Sequence, residues 1–125
     1  MPLLTGSAQD VKALAGQTGL RIYADNKNFI VGSGSSFYPG NGWYGAGYED
    51  ILVEELNGIT SENYLKWEPV HPYRYEYNFD NADKQVAFAE ANGMDMHGHT
   101  LLWHQQNPAW LFETTWSETE LKQIL

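Results

Sequence analysis

The run Gly58-Ile59-Thr60-Ser61-Glu62-Asn63-Tyr64-Leu65-Lys66-Trp67 opens as a strand, over Gly58 to Glu62, and closes on a carboxylate, an amide, an ammonium and an indole. Before it, Glu49 to Leu56 places Ile51, Leu52, Val53 and Leu56 on one broad apolar helical face, which Asn57-Gly58 ends. Further upstream, Phe29 to Phe37 reads as a buried strand in which Gly32, Ser33, Gly34 and their small neighbours let backbones or a ligand come close. Between these two, Tyr38 to Tyr48 is a loop of Gly, Pro and aromatic residues. At the start of the chain, Gln9 to Ala15 predicts a short helix stopped by Gly16, and Leu20-Arg21-Ile22-Tyr23 leads toward a strand. Downstream, a loop runs on from Trp67-Glu68-Pro69 to Asn78. Asp80 or Asn81 then caps a helix through Asn92, with Ala82, Val86, Phe88 and Ala89 near helical spacing and Gly93 as the stop. Met94 to Thr100 is a third strand. Ser117 and Glu120 form a capping box that opens one more helix before Leu125.

This alternation of helices and strands is the pattern of parallel crossovers in an α/β fold. Three strands do not close a (β/α)8 barrel, which needs eight strands and about 250 residues. Two readings follow, an open three-stranded sheet or a part of something larger. No repeat, low-complexity run or linker divides residues 1–125, so the chain is expected to be one unit without a second domain.

Composition narrows the function. The chain of 125 residues is 42% hydrophobic and 14% aromatic, which fits a packed globular protein, and five Trp with eight Tyr point to a binding surface built from rings with polar edges. A formal net charge of -9 argues against nucleic acid, because nothing neutralises a phosphate backbone. There are no cysteines, which excludes a disulfide framework and leaves the compartment open. Met1 to Ser7 has neither a basic segment nor an apolar one, so no signal peptide and no membrane span is expected in this sequence.

The second informative stretch is Gly98-His99-Thr100-Leu101-Leu102-Trp103-His104-Gln105-Gln106-Asn107-Pro108-Ala109-Trp110. Two imidazoles, two indoles and several amides follow the third strand. A pyranose ring offers C–H bonds to an aromatic face and hydroxyls around its rim, so such a mixture suits a sugar. Both stretches fall at the C-terminal ends of neighbouring strands, where parallel barrels carry their sites.

The segments G-I-T-S-E-N-Y-L-K-W and H-G-H-T-L-L-W-H-Q-Q-N-P-A-W, with F-I-V-G-S and F-D-N-A-D-K-Q-V-A-F-A-E-A-N-G-M, resemble the first three βα units of glycoside hydrolase family 10, the endo-β-1,4-xylanases. The resemblance covers Leu20 to Leu125. It implies the N-terminal part of a (β/α)8 TIM barrel that carries out retaining hydrolysis of xylan without a cofactor or metal. It also implies roles residue by residue. Glu62, Asn63 and Lys66 correspond to the polar groups that hold the glycone sugars. His99 corresponds to an imidazole bonding the sugar at the cleavage point, Trp103 to an indole lining that pocket, and Gln106 to an amide further along the glycone side. His97 and Gln105 depart from the family's common pattern, and the loop from Tyr38 to Tyr44 is richer in aromatics, adding a possible glycone contact.

A retaining glycosidase needs two carboxyl groups about 5–5.5 Å apart. In the family these follow the fourth and seventh strands, and neither motif is present, so no catalytic residue is assigned within these residues. The resemblance therefore implies half of a binding cleft that acts on xylan or xylo-oligosaccharide, with a complementary chain supplying the remaining strands, and an extracellular address ahead of a cytoplasmic one. The rival reading is a non-catalytic carbohydrate-binding or barrel-complementing fragment. Individual residues have plainer readings too: Trp110 and Asp95 are taken as structural, and His99 alone could be a core histidine. His97 and His99, two apart on a strand, would share a face as metal ligands do, with His104 near, yet a catalytic metal would need further ligands from other strands.

Overall fold

The computed structural model describes residues 19–36 and 47–125. The expected helix from Gln9 to Ala15 and most of the aromatic loop from Tyr38 to Tyr48 lie outside the described residues. Helix α1 spans Leu20–Asn26, strand β1 Gly32–Ser35, α2 Tyr48–Glu55, β2 Gly58–Ser61, a single turn α3 Trp67–Val70, α4 Asp80–Ala91, β3 Asp95–His97, a 3-10 turn Ala109–Phe112, and α5 Glu118–Ile124. The three strands form one parallel sheet in the order β1-β2-β3, with Gly32 opposite Gly58 and Gly58 opposite Asp95.

The sheet depends on glycine where its backbones meet. A Cβ added to Gly32 would lie 2.7 Å from the Gly58 carbonyl oxygen, and one added to Gly58 would lie 2.8 Å from a methyl of Ile30. Side chains at either position would push β1 and β2 apart. Leu52 of α2, Ile59 of β2, Ala89 of α4 and Met94 form the buried core, with Tyr48, Leu56, Phe88 and Met96 packed around it. The small Ala82 and Ala89 let α4 lie close to the sheet, and between them the buried Gln85 donates to the Ser35 carbonyl at 3.0 Å. A buried amide is tolerated there because it donates to the buried Ser35 carbonyl at the end of β1.

Two polar side chains tie the units together. Asn57, just before β2, accepts from the Val31 N–H at 2.7 Å and donates to the Asp25 carboxylate at 2.7 Å and the Phe29 carbonyl at 2.9 Å. Its own carbonyl accepts from the Asp95 N–H at 2.8 Å, so one residue joins α1, the approach to β1, β2 and β3. At about 1 kcal/mol net per hydrogen bond, and more if a buried donor were left unpaired, Asn57 contributes far beyond its part as a helix stop. Arg21 donates to the Val53, Asn92 and Gly93 carbonyls at 3.1, 2.8 and 2.9 Å, capping the C-terminal ends of both α2 and α4.

Several elements differ from the sequence reading. Leu20-Arg21-Ile22-Tyr23 is helical and not the approach to a strand, and from this helix Arg21 reaches those three carbonyls. The first strand is four residues long, and Phe29 and Ile30, expected inside it, are 65% and 60% exposed. Neither Asp80 nor Asn81 caps α4; the side-chain oxygen of Asn78 instead accepts from the Asp80 N–H at 3.0 Å. The third strand stops at His97, so His99 lies beyond it and the alternation that would align the two imidazoles does not apply. Among the described residues no group of three or more His, Asp or Glu side chains is arranged to hold a metal ion. The Ser117 capping box is present: the Glu120 N–H reaches the Ser117 hydroxyl at 3.3 Å and the Glu120 carboxylate accepts from the Ser117 N–H at 2.9 Å. The Ser117 backbone and hydroxyl together hold the Glu120 carboxyl below its ordinary range. No described helix is long and apolar enough to cross a membrane.

Candidate binding site at the ends of the second and third strands

The parallel register decides which side chains meet. Ser35 pairs with Ser61 at the last position of β1 and β2, and the Glu62 N–H donates to the Ser35 carbonyl at 3.0 Å. The next residues, Ser36 and Glu62, therefore emerge side by side. From Glu62 the chain turns at once, with the Lys66 N–H bonded to the Asn63 carbonyl at 3.0 Å, and this tight turn brings the Lys66 side chain back over Asn63.

Lys66 is 6% exposed, an unusual burial for an ammonium. Its Nζ donates to Asn63 Oδ1 at 3.2 Å and to Gln106 Oε1, and it stands 4.4 Å from the centre of the Trp103 ring. No described carboxylate forms an ion pair with Lys66, so its charge is held by amide dipoles and an indole face.

An ammonium can only donate, and this fixes every proton around it. The atoms of Asn63 and Gln106 that face Lys66 must be oxygens. Their nitrogens then point away: Gln106 Nε2 donates to Asn63 Oδ1 at 3.1 Å, and Asn63 Nδ2 donates to the Ser36 hydroxyl at 2.7 Å. Ser36, having accepted, turns its own proton to the Glu62 carboxylate at 2.5 Å. One polarised chain of hydrogen bonds runs from the buried cation to the exposed anion.

Aromatic groups wall this network. Trp103 is half-buried and has His99 edge-on at 6.1 Å and His104 at 4.6 Å between ring centres. The peptide between His99 and Thr100 is cis. The turn that presents Gln106 is held by two bonds, from Asn107 Nδ2 to the Trp103 carbonyl at 2.9 Å and from the Glu68 N–H to the Gln106 carbonyl at 3.0 Å. Gln106 itself takes a left-handed backbone at φ 51°. Glu62, Asn63, Lys66, His99, Trp103 and Gln106 are thus brought into one contiguous group. His97 and Gln105 are exposed and take no part in these contacts.

Beneath the site lies a second aromatic cluster. Trp110, 7% exposed, donates from Nε1 to the His71 carbonyl at 3.0 Å and packs edge-on against Trp67 and Trp116, each at 6.0 Å. The buried His71 accepts from Trp67 Nε1 at 3.3 Å, so its other nitrogen carries the proton that reaches the Arg74 carbonyl at 3.0 Å. Tyr77 stacks on His71 at 4.1 Å. Trp110 is structural, as its sequence context suggested. His71 and Ser36 carried no sequence signal of their own, although the register of β1 on β2 would have placed Ser36 beside Glu62.

Residues 22–125 match the family described as glycosyl hydrolase family 10. The chain belongs to glycosyl hydrolase family 10. Within family 10, it is 41% identical over 110 residues to endo-1,4-beta-xylanase B of Thermotoga neapolitana, covering 85% of this chain and 31% of that protein. It is 48% identical over 71 residues to a beta-1,4-xylanase of Dictyoglomus thermophilum, covering 57% of this chain and 20% of that protein. The fold is similar to xylanase 10B from Thermotoga petrophila RKU-1 in complex with xylobiose, with a TM-score of 0.75 at 38% identity over 86% of this chain and 33% of that one. The chain thus spans a fifth to a third of the length of these relatives. Its three parallel strands with flanking helices are similar to a third of a family 10 TIM-barrel xylanase, the fold class that the sequence resemblance implied.

Proposed function

We propose that this chain forms the glycone-side binding part of a retaining endo-1,4-β-xylanase. The observation that carries the reading is the hydrogen-bonded group of Asn63, Lys66 and Gln106 against the Trp103 face, at the C-terminal ends of adjacent barrel strands. Of the three protons of the Lys66 ammonium, two are committed to amides, which leaves one to donate to a sugar hydroxyl. Glu62 offers acceptors to a neighbouring hydroxyl, His99 donates or accepts at the sugar nearest the cleavage point, and Trp103 covers a ring face and keeps water out.

On this reading, the acid/base and nucleophile glutamates come from the fourth and seventh strands of a complete barrel, outside these 125 residues. Binding energy gathered at Glu62, Asn63, Lys66 and Gln106, away from the reacting carbon, helps hold the sugar at the cleavage point in a distorted shape approaching the oxocarbenium-like transition state. The substrate is xylan or xylo-oligosaccharide, and a polymeric substrate favours an extracellular address over a cytoplasmic one. Leu101 and Leu102 are 92% and 54% exposed, and among the described residues no strand pairs with the outer edge of β3; both suit cover by the rest of a barrel.

Complementation tests this. The chain alone is expected to leave xylan uncut, and the chain mixed with a polypeptide carrying the fourth to eighth strands should form one compact species that releases xylo-oligosaccharides. Hydrolysis by the chain alone would contradict the reading, as would a compact, correctly sized assembly that ignores xylan.

A further inference from the structure

We infer that Ser36, one residue past the first strand, is a positioning residue for the sugar site: its hydroxyl joins the side chains of Asn63 and Glu62 and so sets which atoms the site presents. The inference rests on the proposed xylan-binding role and adds to it a residue that contacts the sugar only through others.

Lys66 fixes the orientation of the Asn63 amide from one side, and Ser36 fixes it from the other. Asn63 Nδ2 meets the Ser36 oxygen at 2.7 Å, and that oxygen passes its proton to Glu62 at 2.5 Å. Glu62 is exposed, and among the described residues Ser36 is the side chain that hydrogen-bonds its carboxylate. Without the hydroxyl, the carboxylate is free to swing into solvent and the amide nitrogen of Asn63 loses its acceptor. Both groups would then have to be ordered by the sugar itself, at a cost in affinity. The hydroxyl is also what carries polarity across the site, since no carboxylate pairs directly with the Lys66 ammonium in the described residues. Ser36 follows directly on the Ser35 to Ser61 pair, the last of the β1–β2 register, so it starts from a strand end that the sheet fixes.

The experiment compares Ser36→Ala and Ser36→Thr in the complete barrel, by calorimetric titration with xylotriose and by steady-state hydrolysis. Ser36→Ala should weaken xylotriose binding five- to twentyfold, with the loss appearing mainly in KM, while Ser36→Thr, which keeps the hydroxyl, should return affinity to within about twofold of the parent. Ser36→Ala should add little in an Asn63→Ala background, because the two act through one link. Parent-like affinity in Ser36→Ala would overturn the inference, and so would a Thr variant as weak as the Ala variant or a full additive loss in the double variant. If the parent barrel itself fails to bind xylotriose, the xylan reading falls and takes this inference with it; a binding parent with an unaffected Ser36→Ala removes the inference alone. An unchanged thermal midpoint in both variants separates positioning from general loss of structure.

Discussion

Lys66→Met is expected to lower kcat/KM for xylo-oligosaccharide by about a hundredfold in the complete barrel, roughly 3 kcal/mol of transition-state stabilisation. Methionine keeps the length and apolar stem of lysine but removes the charge and all three donors. The sugar loses a charge-assisted hydrogen bond, and Gln106 Oε1 loses the donor that orients it. The same variant should hold or raise the thermal midpoint. An ammonium at 6% exposure with only amides and an indole around it carries a desolvation penalty that those partners offset incompletely. A lysine retained for stability alone would behave in the opposite way, losing midpoint on substitution and keeping activity. Kinetics and melting on the one variant therefore decide what Lys66 is for, and parent-like kcat/KM would remove it from the site.

The second large effect is on folding. Trp110→Ala should destabilise the complete barrel by about 3–5 kcal/mol, the range for truncating a buried indole, and lower its urea midpoint accordingly. The substitution opens a cavity between Trp67 and Trp116 and leaves the His71 carbonyl without the Nε1 donor at 3.0 Å. Trp103→Ala should cost far less stability, because that ring is half-buried and stands at the site's edge, yet it should weaken sugar binding strongly. The two indoles lie seven positions apart in one segment, and the account assigns them to different tasks. Equal losses of stability in both variants would contradict that division.

The sequence carried the parts of this protein that are local. Where Ile51, Leu52, Val53 and Leu56 predict an apolar helical face, α2 forms and buries Leu52, while Ile51 is exposed; the alternation of helix and strand predicts a parallel sheet, and that sheet is present. Glu62, Asn63 and Lys66 were legible as a group because one short turn holds them, and Trp103 and Gln106 because they share the next segment. What was hidden depends on partners far along the chain. Leu20 to Tyr23 has too few residues to reveal its period, and the helix forms because Arg21 finds carbonyls at Val53, Asn92 and Gly93. Asn57 looked like a helix stop, and its importance lies in bonds to Asp25, Phe29 and Val31. Ser36 is one serine in a run of small residues until the pairing of β1 with β2 sets it against Glu62. The end of the third strand at His97 is not marked in the sequence, because His97 to Thr100 has a composition that does not distinguish a strand end from the loop that follows.

The most direct test of the binding account is a crystal structure of the complete barrel with xylobiose. The account predicts a xylose ring with hydroxyls within hydrogen-bond distance of Asn63 and Lys66, Glu62 on an adjacent hydroxyl, and the Trp103 indole beside a ring face. Xylobiose bound elsewhere in the barrel, with these four side chains facing solvent or one another and no sugar between them, would contradict it.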